Sequence, residues 1–292
     1  MGRLILNADD FGLTAGVNRA ILELHRARVL TSASLMARAA ATDEAIELAR
    51  STPTLGVGCH VVIVDGEPVL GAQNLPTLVD RHTGRFDLTL GAFLKLLFTG
   101  RIRSSEIEAE TAAQIALLQS CGLRLTHIDT HKHTHIFPAV LRPVLYAARA
   151  AGIRAVRNPF EPAWSRRATH GASWIRRAEV RLLRLLEPAF RSIVAEEGFT
   201  TTDGAIGVLA TGTLDSNTVS SLLRSLPEGT WELVAHPGYN DRDLAQVRTR
   251  LRASRETERD ALSAMEHFPA IEQISFADLQ SASSAHCRAS KS

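Results

Sequence analysis

Four histidines and an aspartate stand within ten residues in the stretch THIDTHKHTH, Thr126 to His135. His127, Asp129, His131, His133 and His135 all fall on odd positions, so an extended backbone would turn them to one face. Nine residues is long for a strand, and the later members are expected on the following loop, diverging from the first. A single histidine at a strand end is ordinarily a hydrogen-bonded polar residue and no more. Four with an aspartate among them point to a metal or catalytic role.

Partners for them stand where other apolar runs end. NADDFG places Asp9 and Asp10 at the close of the first run. Neighbouring strand residues face opposite ways, so both acids reach one site only if the chain turns there, which Phe11-Gly12 would permit. A paired acid before glycine serves a plain turn about as often. His60 lies inside the apolar GVGCHVV, where an isolated imidazole would need a partner. His236 closes ELVAH, and Pro237-Gly238 turns the chain after it.

Two histidines and a carboxylate with an open position form a catalytic zinc-type ligand set, and the same donors suit other divalent ions. Spacing does not select among the histidines. One aspartate and one histidine would be left over, suited to a base that deprotonates water and an acid that protonates a leaving group. The residues therefore imply metal-assisted hydrolysis without naming the bond. A phosphoesterase would want a second carboxylate-bridged metal, for which no second ligand set is evident. A binding barrel with a structural metal would close the site with four protein ligands.

The elements that must hold these groups read as repeated βα units. Strand-like runs are RLILNA, SASLMA, GVGCHVVI, LRLTHIDTH, IRAVRN, AIGVLAT, TWELVAH and IEQISF. Between them lie helical patterns: GVNRAILELHRARV, with Val17, Ile21, Leu22 and Leu24 in register; TDEAIELARS, with Thr42 as its N-cap; SEIEAETAAQIALLQSCG, closed by Gly122; VLRPVLYAARAAG; SNTVSSLLRSL; and RTRLRASRETERDALSAM. Buried parallel strands alternating with helices predict an irregular, TIM-like (β/α) barrel of about seven strands, whose site gathers at the carboxyl ends of the strands. One domain over 1–280 is expected, with helical insertions near 88–103 and 173–194 and a frayed tail at 281–292. Both insertions are apolar on one side and strongly basic, which fits an extra packed helix, a membrane or lipid surface, or a second copy in a homodimer.

The 292 residues carry 33 basic and 31 acidic side chains, which gives no electrostatic footprint for nucleic acid. No glycine-rich nucleotide fingerprint follows the first strand. Cys59, Cys121 and Cys287 are scattered and odd in number, so no disulfide framework is implied. No signal peptide or membrane span is evident, and a cytoplasmic setting is expected, with peripheral contact to the inner face of the membrane.

NADDFG, GCH followed by DGEPV, THIDTHKHTHIFP and AHPGY, in this order, resemble the YdjC-like carbohydrate deacetylases. That resemblance implies a barrel related to the polysaccharide deacetylases and removal of acetyl from N-acetylated sugars with one divalent metal, zinc or magnesium. It implies Asp10, His60 and His131 as ligands, with His127 the rival to His131. It implies Asp9 as general base and His236 as general acid, and Asp129 as a carboxylate orienting an imidazole. His133 and His135 would touch substrate or buttress the site, and Arg157 would hold substrate or pair with Glu161 or another acid. AVRNPFEP and the basic insert after it are similar to a branch associated with hopanoid biosynthesis, implying an N-acetylglucosamine-bearing hopanoid lipid as substrate. Val62 and Val64 stand where many relatives carry a leucine- and threonine-rich run, which bears on the sugar pocket.

Overall fold

β1 (Gly2–Phe11) is the centre of the sheet: it is buried on both faces and opens on the apolar run Leu4-Ile5-Leu6, as a strand covered on both sides should be. The computed structural model describes residues 1–86, 89–266 and 268–279. After β1 come α1 (Ala15–Arg26), β2 (Ser32–Leu35), α2 (Thr42–Ser51) and β3 (Gly56–Val61). The first insertion supplies α3 (Leu90–Phe98); α4 (Ser104–Ser120), β4 (Ile128–Thr130) and α5 (Pro138–Ala150) follow. Next come α6 (Ala163–Ala168), then α7 (Trp174–Leu183) and α8 (Glu187–Glu196) in the region of the second expected insertion. The chain closes with β5 (Gly204–Ile206), α9 (Ser216–Arg224), β6 (Gly229–Ala235), α10 (Arg242–Gln246), α11 (Arg252–Ser263) and β7 (Ile271–Gln273).

All pairings between these strands are parallel, in the order β4-β3-β2-β1-β6-β5. The result is a curled half-barrel with helices outside. One edge of β1 is shared: β7 pairs with Gly2 to Leu4 and β2 with Asn7 to Phe11. The expected strand in IRAVRN is reduced to two bridges, Ile128 with Val156 and Ala155 with Thr200, which link β4 towards the chain entering β5. Asn158-Pro159 cuts it short: Asn158 turns its amide onto the Thr202 carbonyl, and proline offers no N–H to a ladder.

Other expected bounds also shift. LRLTHIDTH is a strand only over Ile128–Thr130, and AIGVLAT only over Gly204–Ile206. Thr42 is not the N-cap of α2; it is the first helical residue, and its hydroxyl accepts from the Ala39 N–H and donates to the Met36 carbonyl. Leu88 and the tail 281–292 lie outside the described residues.

The interior fills in layers. Ile5, Ala155, Ile274, Phe276 and Leu279 form an apolar plug at the amino ends of the strands. Asn7 and Asp9 follow Ile5 on the same face of β1 and carry the interior from apolar to polar. Outside the sheet, Leu4, Leu6 and Ala8 join the large core beneath the helices, with Val17, Ile21, Leu22 and Leu24 of α1. No helix among the described residues is long and apolar enough to cross a membrane.

Candidate metal centre and active site

Both acids of NADDFG reach the site because β1 bulges. The register with β2 shifts between Ala8 and Phe11, and Asp10 takes a left-handed backbone with φ of 64°. The turn that brings the two carboxylates together is therefore Asp10 itself, rather than Phe11-Gly12. Aspartate tolerates this region better than most residues, since its short side chain bonds locally.

Asp10, His60 and His131 converge from β1, β3 and the end of β4. One donor atom from each lies within 4.8 Å of the others. His131 Nδ1 is 3.2 Å and His60 Nε2 3.5 Å from Asp10 Oδ1, and the two imidazole nitrogens are 3.3 Å apart. Asp10 Oδ1 is buried and has no hydrogen-bond partner among the described residues. Asp129 Oδ1 accepts from His60 Nδ1 at 2.9 Å, fixing the ring so that Nε2 points to Asp10. Burial opposes a charged His60, but Asp129, Asp9 and Asp10 push its pKa up to about 9. With His60 and His131 neutral, as metal ligation requires, five buried acids (Asp9, Asp10, Asp129, Glu232, Glu258) face two buried guanidiniums (Arg157, Arg255), which leaves surplus negative charge for a cation. An unpartnered carboxylate oxygen, two convergent imidazoles and that surplus fit a divalent cation.

Arg157 is the hub of the layer below. Its Nη1 and Nη2 donate to the two oxygens of Asp9 at 2.9 and 2.6 Å, its Nε to Glu232 Oε1 at 2.7 Å, and it also pairs with Asp129. Burial raises the Asp9 pKa, but Arg157 together with His60 and His236 outweighs it and holds the carboxyl below its ordinary value. Glu232 has one engaged oxygen, and burial pushes it up to about 7. The expected pair with Glu161 does not form; Glu161 accepts from Ser165 Oγ and the Leu209 N–H.

His236 sits across from Asp9, its Nε2 3.7 Å from Asp9 Oδ2. Its N–H donates to Glu258 Oε2 at 2.6 Å, and its ring Nδ1 is 3.7 Å from the same oxygen. Burial works against the charged imidazole, yet Glu258, Asp9 and Asp10 raise its pKa.

The other histidines separate. His127 is fully buried, stacked on Phe276 at 3.9 Å, with Nε2 3.1 Å from Ser34 Oγ. A side chain at Gly58 would strike this ring at 2.4 Å, so the glycine makes its slot. Burial pushes its pKa down to about 3. Lys132 and His133 take left-handed backbone, with φ of 56° and 52°, and end the strand face at His131. His135 is buried, held by Thr130 Oγ1 at 2.7 Å and 3.2 Å from the Arg157 carbonyl. His133 is partly exposed on the turn. Val62 and Val64 are both core residues.

Sequence reasoning missed five contributors. Asn7 Nδ2 donates to Asp9, and Ser34 Oγ donates to Asp129. Glu232 is a lone acid in an apolar strand, a signal that was available. Arg255 and Glu258, three apart on α11, reach Asp10 Oδ2 and His236. In RETERDAL they look like ordinary surface charges.

A profile of YdjC-like proteins matches residues 3–273, nearly the whole chain. The chain belongs to the YdjC-like family. This YdjC-like protein is 26% identical over 266 residues to a carbohydrate deacetylase of Thermoanaerobacter pseudethanolicus, covering 90% of this chain and 91% of that one. A human carbohydrate deacetylase is 32% identical over 251 residues, covering 81% and 75% respectively. The carbohydrate deacetylase of Brevibacillus brevis is 44% identical over 146 residues, 50% of this chain and only 55% of that protein's length. Among solved structures, an Enterococcus faecalis V583 protein proposed as a cellobiose-phosphate cleavage protein superposes with a TM-score of 0.74 and 26% identity, covering 95% of this chain and 98% of that one.

Proposed function

We propose that this YdjC-like protein is a metal-dependent N-deacetylase acting on an N-acetylglucosamine-type sugar. The observation that carries the reading is the Asp10, His60 and His131 donor set with Asp9 and His236 facing each other beside it. The names of the relatives support deacetylation of a carbohydrate. Asp10, His60 and His131 would hold one divalent ion, which in such a set polarises a carbonyl and acidifies water. Two imidazoles in three donors suit zinc better than magnesium, which prefers oxygen ligands.

Asp9, kept anionic by Arg157, takes a proton from the attacking water as the C–O bond forms at the acetamide carbon. His236, whose protonated form Glu258 favours, gives its proton to the sugar nitrogen as the C–N bond breaks. Acetic acid and a free amine leave, and the proton gained by Asp9 balances the one lost by His236. Asp129 holds the His60 ring, Arg157 fixes both oxygens of Asp9, and His135 buttresses the Arg157 backbone from below.

The finer substrate in this reading is an N-acetylglucosamine-bearing hopanoid lipid, met at the membrane surface. AVRNPFEP supports it by resemblance, and the exposed apolar side chains of the second insertion support a lipid surface. A chitooligosaccharide is the soluble alternative. A two-metal phosphoesterase is disfavoured: a second cation at Asp9, His60 and Asp129 would compete with the Arg157 guanidinium already seated there. The test is acetate release by metal-loaded protein from the glycosylated hopanoid in detergent and from soluble chitobiose. Acetate from the lipid alone supports the hopanoid reading, acetate from chitobiose alone replaces it, and acetate from neither overturns the deacetylase assignment for these substrates.

A further inference from the structure

Helix α7 is inside out. Two of its three arginines turn inward: Arg176 Nη2 donates to the Val208 carbonyl at 3.1 Å, and Arg177 donates to the carbonyls of Arg166 and Thr169 at 2.8 and 2.7 Å. Large apolar residues on it and on the turn just after it face outward. Trp174, Ile175 and Leu182 of α7 and Leu185 of that turn, at 78%, 53%, 66% and 75% exposure, are four of the six large hydrophobics exposed among the described residues. At helical spacing Trp174, Ala178, Leu182 and Leu185 form one stripe with Ile175 beside it, while Val180 on the opposite side is buried. Such a face needs a partner.

Charge names the partner. Arg166, Arg167, Arg181 and Arg184 lie close enough that burial and its three neighbours lower the Arg166 pKa. Arg184 is paired with Glu187, but Arg167 and Arg181 are exposed and have no ion-pair partner among the described residues. A second copy docked with this face on its two-fold axis would set one arginine cluster against its twin. Anionic headgroups would neutralise it.

We infer that α7 is an interfacial helix that rests on an anionic phospholipid surface, with Trp174, Ile175, Leu182 and Leu185 at the acyl boundary and Arg167 and Arg181 on the phosphates. The helix belongs to the insertion that leaves the carboxyl end of the segment bearing Arg157, and Arg176 ties it to Val208 just past β5. Docked there, the mouth of the site lies near the headgroups. That use in reaching a lipid-borne sugar rests on the deacetylase reading; the binding does not.

The test is co-sedimentation of the full chain with vesicles of phosphatidylcholine, or of phosphatidylcholine with phosphatidylglycerol, together with tryptophan emission. Trp164 and Trp231 pack edge to face at 5.2 Å, so Trp174 is the reporter. Binding and a blue shift are expected with the anionic vesicles and not with the neutral ones, weakening with salt. Reversing Arg167 and Arg181 to Glu should lower vesicle affinity more than tenfold, since each cation near the surface is worth about fivefold. Leu182→Ser with Leu185→Ser should abolish binding while leaving turnover of a soluble N-acetylated sugar unchanged. Absence of binding to anionic vesicles, or undiminished binding by the serine variant, overturns the inference. So does a dimer that the same variant splits, which would assign the face to self-association. Vesicle binding without deacetylation of any sugar would leave the inference standing and sink the enzymatic reading.

Discussion

Replacing Arg157 by Met is the severest single change this site offers. The guanidinium is fully buried and sits among Asp9, Asp129 and Glu232, so its removal leaves like charges together without their main counter-ion. Breaking a buried pair from one side costs about 3–5 kcal/mol. For 292 residues, an unfolding entropy of ~2.1 cal/mol/K per residue converts that into a melting point lower by about 5–8 °C. The loss should depend on pH, and the sign follows from the carboxylates. In the wild type, Arg157 lowers the Asp9 and Asp129 pKa values, so their contribution is present above the unfolded value and fades as pH falls. In the variant the largest opposing charge is gone and burial pushes both pKa values up from their wild-type positions, so the folded state gains relative to the unfolded as pH falls. The deficit should therefore be large near about pH 8 and shrink towards about pH 5. Calorimetry across that range measures it, with Arg157→Lys falling between because it keeps the charge and loses the fork. A wild-type midpoint at the higher pH, or a deficit indifferent to pH, would refute the reasoning.

Calorimetric metal titration should separate the histidines: His131→Ala loses tight binding of zinc, while His127→Ala keeps it and lowers the melting point through its vacated slot. Arg255→Met frees Asp10 Oδ2 and should weaken zinc binding by about tenfold or more, the usual cost of removing a residue that orients a ligand. The profile of kcat/KM against pH should have its alkaline limb above the ordinary histidine value of about 6.5, because His236 must stay protonated and its pKa is raised. Glu258→Gln should move that limb down by about one pH unit or more; an unmoved limb would take the acid role away from His236.

The sequence made much of this site legible, and for a reason. Asp9, Asp10, His60 and His236 are polar residues at the ends of apolar runs, where a parallel sheet exposes side chains to one common mouth. The separation of the odd-numbered histidines was legible only in part: strand length said they would diverge, but the left-handed pair Lys132-His133 decides where. The bulge at Asp10 left no signal, because aspartate before Phe-Gly reads as a turn one residue later. Arg255 and Glu258 were hidden more deeply. They look like solvated helix charges, and their burial depends on how α11 docks against a strand 245 residues away in sequence. Even IRAVRN, apolar enough for a strand, was shortened by the Asn158-Pro159 step that follows it.

The shared edge of β1 sets a problem of timing during synthesis. β1 leaves the ribosome well before two of its neighbours: β6 begins at Gly229 and β7 at Ile271. At about 5–20 residues per second, the strand waits roughly ten to forty seconds with β2 as its only possible pairing along the sheet. For that interval Leu4, Ile5 and Leu6 lie on an open apolar edge of the kind that pairs with other chains. Early burial of α1 against one face would shield part of it, but the edge itself stays open until β6 arrives. The yield of folded protein should therefore respond to translation speed and to chaperones that cover apolar strands, more than to any substitution at the metal-binding residues.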